Sequence, residues 1–165
     1  MSRATAPREP GRADTYAHLI DGEWVEGEGA RHSILDKYTQ EPLGSVNEAS
    51  PAQLRRAVDG AFAAFGAGAP CGYERGLFLD RAADGVAARQ EEFVSAMRCE
   101  ASFTRSDALG EIRRSVNTLR LSAEEARRVT GDMVPMDGVQ GQSGRIAFTL
   151  RVPVGLVLAI TPFNS

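Results

Sequence analysis

The sequence predicts an α/β protein in which amphipathic helices precede the first strand of a parallel sheet. The helices are indicated by apolar side chains that recur every three or four residues between positions 50 and 129. The strand is indicated by the continuous apolar run 154–160, which is typical of a strand buried on both faces. In addition, Asp21-Gly22 lies between two short apolar runs and predicts a β-hairpin.

Composition narrows the class of protein. The chain has 165 residues, of which 42% are hydrophobic and 25% charged, as in ordinary globular domains. A net charge of −3 argues against a nucleic-acid partner. No apolar run reaches the roughly 20 residues of a membrane helix, so no membrane partner is expected. The N-terminus lacks the apolar segment of a secretory signal, and a cytoplasmic location is therefore expected.

The N-terminal part divides into a leader and a segment of paired strands. Residues 1–16 are rich in Arg, Pro and Ala without apolar periodicity, which predicts a disordered leader. The following region, 17–132, is expected to hold hairpins and helices. Leu19-Ile20 and Trp24-Val25 flank the first turn, and 33–36 is expected to pair with 43–46.

Four helices are predicted next. The first has Ser50 as its N-cap and Pro51 at its first position, and glycines at 66 and 68 end it. Its apolar face comprises Leu54, Ala57, Val58, Ala61, Phe62 and Phe65. A second helix starts near Tyr73, a third carries Val94, and a fourth spans about 106–129 with Gly131 as its expected C-cap.

The pattern changes after the fourth helix. Residues 137–144 form a glycine-bearing loop, and 146–151 alternate as in a half-exposed strand, so that 133–152 is one segment. The last segment, 153–165, contains the predicted buried strand. A parallel strand needs a crossover and a neighbouring strand, and neither follows in this sequence. The expectation is therefore an incomplete, truncated α/β unit.

At this point the sequence resembles a known family. The string RVPVGLVLAITPFN at 151–164 is similar to the segment that opens the nucleotide-binding sheet of NAD(P)-dependent aldehyde dehydrogenases. LIDGEW at 19–24 resembles the family's N-terminal start, and YER at 73–75 and ALGEI at 108–112 resemble its helices in order. The resemblance covers about 18–165 and implies an aldehyde dehydrogenase-like fold, of which this chain is the N-terminal portion.

The resemblance implies an activity and a set of site residues. The family oxidises an aldehyde to an acid with NAD or NADP through a cysteine thiohemiacetal and thioester. The family's asparagine at this point donates an amide hydrogen bond to the thiohemiacetal oxyanion, which here implies Asn164. The residues before it line the cofactor cleft, namely Ile160, Thr161, Pro162 and Phe163. Outside this string an asparagine there would be interpreted as the cap of a strand-to-helix turn.

The resemblance also implies partners and leaves an alternative open. Residues 133–152 resemble the segment containing the family's oligomerisation arm, which implies a homo-oligomer (dimer or tetramer) acting on a small-molecule aldehyde. TLRLSAEEA at 118–126 is similar to branches that use lactaldehyde or glyceraldehyde 3-phosphate. In the family, a cofactor-binding lysine, a general-base glutamate and a nucleophilic cysteine lie later in the chain, and none of the three has a counterpart in these residues. The single lysine here, Lys37, lies in the N-terminal region and cannot replace the family's lysine. The chain alone is therefore expected to be inactive; alternatively, it is a non-catalytic truncated paralogue, either an assembly partner or a remnant.

The remaining chemistry-bearing residues favour structural roles. Cys71 and Cys99 have no histidine nearby in sequence and are interpreted as free thiols. His18 and His32 are not spaced as metal ligands, and no metal site is expected. The arginines of the fourth helix alternate with glutamates, which predicts a solvated, salt-bridged face rather than a nucleic-acid patch.

Overall fold

The computed structural model describes residues 14–161, which form an α/β arrangement of short strands and four helices. The α/β class is thus confirmed. Five strands come first: β1 Asp14–Tyr16, β2 His18–Ile20, β3 Glu23–Val25, β4 Arg31–Leu35 and β5 Pro42–Asn47. The helices are α1 Pro51–Gly66, α2 Gly72–Ala88, α3 Gln90–Ala101 and α4 Arg105–Arg128, followed by β6 Met133–Val134 and β7 Ala147–Phe148.

The predicted hairpin is confirmed as the antiparallel pair β2–β3. Its turn places Asp21 at φ 54° and Gly22 at φ 79°, so that both central residues are left-handed. A two-residue type I′ turn needs this conformation, because its twist matches that of the two strands. The Asp-Gly dipeptide therefore forms the turn because both of its residues tolerate a positive φ, which is the property on which the prediction was based.

A three-stranded sheet has the order β1–β5–β4. The predicted pairing of 33–36 with 43–46 is confirmed by the antiparallel β4–β5 ladder, in which Ser33 lies opposite Ser45. On the other side of β5, β1 pairs in parallel. The predicted leader boundary at residue 16 is therefore wrong, because Asp14–Tyr16 is held by backbone hydrogen bonds to β5; residues 1–13 lie outside the described part.

Helix α1 begins as the sequence predicts. The Ser50 hydroxyl accepts a hydrogen bond from the Gln53 amide, and the Gln53 side chain accepts one from the Ser50 amide. This reciprocal capping box occupies two of the donors that a helix start leaves free. The apolar stripe formed by Leu54, Val58, Phe62 and Phe65 is nevertheless exposed.

The core lies where α2 and α3 pack on α4. Val94 of α3 and Ala108 and Ile112 of α4 form the buried cluster, and Val86 and Met97 pack around it. Ala83 of α2 and Ala123 of α4 are also fully buried. These small side chains allow α2 and α4 to approach closely along most of their length.

The strand pair β6–β7 follows α4 after a short connection. Val129 is the C-cap of α4, so the prediction of Gly131 as the cap is wrong. A Cβ at Gly131 would overlap the carbonyl oxygen of Thr149, which shows that close approach of two backbones requires glycine here. The alternating pattern at 146–151 is confirmed as a strand for Ala147–Phe148.

The predicted buried strand at 154–160 is not formed in this structure. Residues 149–161 have no strand assignment, and Gly155 has φ 106°. A parallel strand forms only beside a neighbour that accepts its hydrogen bonds, and the described residues supply none to this segment. The apolar side chains of the run, with Leu158 and Ile160 at its end, are therefore exposed.

Candidate functional site

The predicted site lies at the end of the chain, on the segment that leaves the β6–β7 pair. Thr149 anchors the start of this segment: its amide donates to the Asp132 carbonyl at 2.9 Å, and its hydroxyl accepts from the Asp132 amide at 2.9 Å. A longer ion pair, 3.9 Å between Arg151 and Asp132, lies beside these bonds. The segment is thus fixed at its base, and the large apolar side chains that follow along it are exposed.

Two of the five predicted site residues fall within the described part. Ile160 is 86% exposed, and Thr161 is exposed as well. Pro162, Phe163 and the predicted oxyanion donor Asn164 lie outside the described residues. Ile160 and Thr161 therefore lie on an exposed segment that has no paired strand beside it.

The described residues alone do not form a cradle for a dinucleotide. A nucleotide cleft in an α/β fold lies at the carboxyl ends of paired parallel strands, beside a helix N-terminus. Here Ile160 and Thr161 follow an unpaired segment, and their side chains are exposed. The cofactor does not fit these residues as they stand, and its binding needs further parts of the fold.

The largest charged cluster in the described part joins α2 to α4. Asp80 accepts from Arg127 at 2.6 Å and from Arg120 at 3.2 Å, and Arg120 also donates to Asp84 at 2.5 Å. The hydrogen bonds from Arg127 and Arg120 lower the pKa of Asp80. Hydrogen bonds to Asp84 and Asp80 raise the pKa of Arg120.

This cluster refines the prediction for the fourth helix. Arg114 pairs with Glu111, and Arg128 pairs with Glu125, each within α4 as the alternation of charges predicts. Arg120 and Arg127 instead reach across to α2. The signal was present in the sequence, because aspartates at 80 and 84 share one helix face and arginines at 120 and 127 share another. The cluster holds two helices together and touches no candidate site residue.

The two cysteines lie in different surroundings, and neither is on the segment that carries the predicted site residues. Cys71 is exposed and is the N-cap of α2, where its amide donates to the Glu74 carboxylate at 2.8 Å. Cys99 is half-buried on α3, and burial, together with a hydrogen bond to Asp36, raises the pKa of its thiol. A raised thiol pKa reduces the thiolate fraction and so the reactivity. The interpretation of both as ordinary free thiols agrees with these surroundings.

The histidines bind neighbouring groups of the sheet region. His18 Nε2 lies 2.8 Å from the Asn47 carbonyl oxygen, and His32 Nε2 lies 2.8 Å from the Glu48 carboxylate. Within residues 14–161 no group of three His, Cys, Asp or Glu side chains is placed to hold a metal ion. None of the described helices is long and apolar enough to span a bilayer.

An open groove of about 860 Å³ lies where α3 turns into α4. Its lining is mostly polar and includes Ser102, Asp107, Arg113, Arg114 and Asn117. It lies on a different element from the predicted site residues Ile160 and Thr161. Ligand pockets are mostly apolar and enclosed, so the composition of this groove does not identify it as a cofactor site.

The sequence of this chain is similar to those of one family of known proteins. The profile of the Aldehyde dehydrogenase family matches residues 24–165. The 3-sulfolactaldehyde dehydrogenase of Priestia aryabhattai is 40% identical over 150 residues, which are 90% of this chain and 31% of that protein.

Solved structures agree with this assignment. The NADP-dependent glyceraldehyde-3-phosphate dehydrogenase of Bacillus halodurans, complexed with NADP, superposes with a TM-score of 0.76 at 31% identity, over 86% of this chain and 30% of that one. The NAD-dependent benzaldehyde dehydrogenase of Corynebacterium glutamicum gives a TM-score of 0.68 at 31% identity, over 76% of this chain and 28% of that one. The chain thus spans about 30% of the length of these relatives.

Proposed function

The chain belongs to the aldehyde dehydrogenase family, and on that premise we propose that it forms one part of an enzyme that oxidises an aldehyde to a carboxylic acid with NAD or NADP. The observation that carries this proposal is the match over residues 24–165, which runs through the whole string at 151–164. The fold resembles that of enzymes that use either cofactor, as their names state.

Asn164 is the residue to which we assign a chemical role. In the proposed reaction a cysteine thiolate from another part of the fold attacks the aldehyde carbon, and the carbonyl oxygen becomes an oxyanion. The side-chain amide of Asn164 donates a hydrogen bond to that oxygen. Such a donor acts where charge develops, and removing one costs on the order of 3–4 kcal/mol in the chemical step.

We assign Ile160, Thr161, Pro162 and Phe163 to the wall of the cofactor cleft. This assignment requires 154–160 to become a strand with neighbours, because only then would the residues after it lie at a carboxyl-end edge. The exposed apolar side chains of 154–160 support it, since pairing on both sides would bury them. The isolated chain is proposed to be inactive, because it lacks the nucleophile, the general base and a cofactor cradle.

The substrate we propose is a small polar aldehyde. The Priestia and Bacillus relatives are named for 3-sulfolactaldehyde and for glyceraldehyde 3-phosphate, which are short aldehydes with a hydroxyl and an acidic group. The run at 118–126, similar to branches that use lactaldehyde or glyceraldehyde 3-phosphate, supports a short hydroxylated aldehyde. Benzaldehyde, for which the Corynebacterium relative is named, is the contrasting substrate.

Two further parts of the proposal concern assembly and location. We propose a homo-oligomer, a dimer or a tetramer, in which 133–152 contributes an arm; its exposed strand pair β6–β7 is consistent with such a role. We propose a cytoplasmic location. The alternative, a non-catalytic paralogue that only assembles with a longer subunit, predicts no turnover even when the remaining part of the Priestia aryabhattai enzyme is joined to this chain.

The proposed role of Asn164 is tested in a chimera of residues 1–165 continued by the remaining part of the Priestia aryabhattai enzyme. With 3-sulfolactaldehyde and NAD or NADP, Asn164→Ala is expected to lower kcat by about 10²–10³-fold. Asn117→Ala, on the exposed side of α4, serves as the matched control and should retain activity. Equal kcat for Asn164→Ala and the unmodified chimera would reject the oxyanion role.

A further inference from the structure

Thr149 is the last residue of the described chain that hydrogen-bonds to another part of it. Its amide donates to the Asp132 carbonyl oxygen at 2.9 Å, and its hydroxyl accepts from the Asp132 amide at 2.9 Å. Beyond Thr149, the polar contact of 150–161 with other described residues is the longer ion pair of Arg151 with Asp132. The path of this segment therefore starts from the two bonds between Thr149 and Asp132.

These bonds differ from the ordinary ladder of an antiparallel pair. Met133 lies opposite Phe148, so the next pair outward is Asp132 with Thr149. A pair joined by one backbone hydrogen bond normally exchanges a second. Here the Asp132 amide donates to the Thr149 hydroxyl, and the Thr149 carbonyl oxygen lies against Gly131 instead. The side chain thus takes the place of the carbonyl, and the backbone after Thr149 leaves the ladder.

A packing role does not account for this hydroxyl. Thr149 and Asp132 are both exposed, so the side chain of Thr149 fills no core position. Valine would keep the shape of the side chain and lose the hydrogen bond. Gly131 acts at the same point, because a Cβ there would overlap the Thr149 carbonyl oxygen. Both features serve the exit of the segment from β6–β7.

We propose that Thr149 is a positioning residue, whose hydroxyl fixes the point and direction from which the segment leading to Asn164 leaves the strand pair. This inference rests on the proposed function, because it assumes that Asn164 acts on the oxyanion. Neighbouring strands would hold the run 154–160 sideways, but a strand can pair in more than one register. The anchor at Thr149 lies shortly before that run and fixes where its register starts. Accurate placement matters, because a misplacement of about 1 Å can cost about 10²-fold in rate.

The kinetics of the chimera with the remaining Priestia aryabhattai sequence test this role. Thr149→Val should lower kcat for 3-sulfolactaldehyde about tenfold and leave KM unchanged, because an oxyanion donor acts in the transition state. Thr149→Ser keeps the hydroxyl and should restore kcat. Thr130→Val is the matched control, since Thr130 is exposed and its hydroxyl makes no hydrogen bond within the described residues; it should leave both constants unchanged. All rates are measured on assembled protein isolated by size-exclusion chromatography.

Amide exchange of the same variants is independent of turnover. In Thr149→Val, the Asp132 amide and the amides of 154–160 in the chimera should exchange faster than in Thr130→Val. An unchanged kcat for Thr149→Val with a freely exchanging Asp132 amide would overturn the proposal, as would a Thr149→Ser variant as slow as Thr149→Val. A chimera without turnover would reject the proposed function alone. The positioning role would then be supported by faster exchange of 154–160 in Thr149→Val and overturned by equal exchange in the two variants.

Discussion

Replacing Ile112 by alanine should remove a large part of the stability of the helical core. Ile112 is 4% exposed and packs against Val94 and Ala108 where α3 meets α4. The substitution deletes three carbons, worth about 0.8 kcal/mol each by transfer. The cavity left behind adds to this, and isoleucine-to-alanine changes in cores cost about 2–5 kcal/mol. We expect a loss of about 3 kcal/mol in the free energy of unfolding.

Ile146→Ala is the matched control, because the same atoms are removed from a side chain that is 79% exposed. It should change the free energy of unfolding by less than about 0.5 kcal/mol. Urea unfolding followed by far-ultraviolet circular dichroism measures both variants, since the helices dominate the signal. If Ile112→Ala leaves too little folded protein, Ile112→Val should still cost about 0.5–1.5 kcal/mol. Equal midpoints for the variants at 112 and 146 would refute the helical core described here.

Three other predictions concern the charged cluster, the strand pair and the thiols. Because the folded-state pKa of Asp80 is lowered from 3.8, its stabilising contribution is present above that pH and is lost as the pH falls through the folded value. Asp80→Asn should therefore lower the urea midpoint at pH 7, and the difference from the unmodified chain should shrink as the pH falls below 3.8. Gly131→Ala should disrupt β6–β7, seen as faster amide exchange there, while Gly138→Ala, which has open space around its Cβ, should not. Cys71 should react with a thiol reagent at pH 8 faster than Cys99, whose pKa is raised; the reverse order would contradict the described burial.

The local elements were predictable because their signals are themselves local. Asp21-Gly22 fixes a turn by its own backbone preferences, and Ser50 with Pro51 fixes a helix start by capping chemistry. Apolar periodicity likewise predicted the four helices. The end of α4 at Arg128 agrees with the predicted end near 129. Its C-cap was wrongly assigned to Gly131, because glycine is required there by the close approach of the Thr149 backbone, far along the sequence.

The elements that the sequence predicted less well are strands, because a strand depends on a neighbouring strand that is distant in the chain. β1 exists because β5 pairs with it, and no property of Asp14–Tyr16 alone indicates that. The run 154–160 has the composition of a buried strand, but hydrophobicity does not supply the neighbouring backbone that a strand requires. The candidate site depends on the same missing pairing, because its residues lie at the end of the run 154–160 and directly after it. The roles of Ile160, Thr161, Pro162, Phe163 and Asn164 stay predictions from the resemblance.

Formation of reduced cofactor tests the central claim most directly. The purified 165-residue chain and the chimera with the remaining Priestia sequence are assayed side by side with 3-sulfolactaldehyde, glyceraldehyde 3-phosphate and benzaldehyde, each with NAD and NADP. If the chain is one part of an aldehyde dehydrogenase, NADH or NADPH appears with the chimera and a short polar aldehyde, and none appears with the isolated chain. Turnover by the isolated chain, or an assembled chimera that oxidises no aldehyde, would contradict the account.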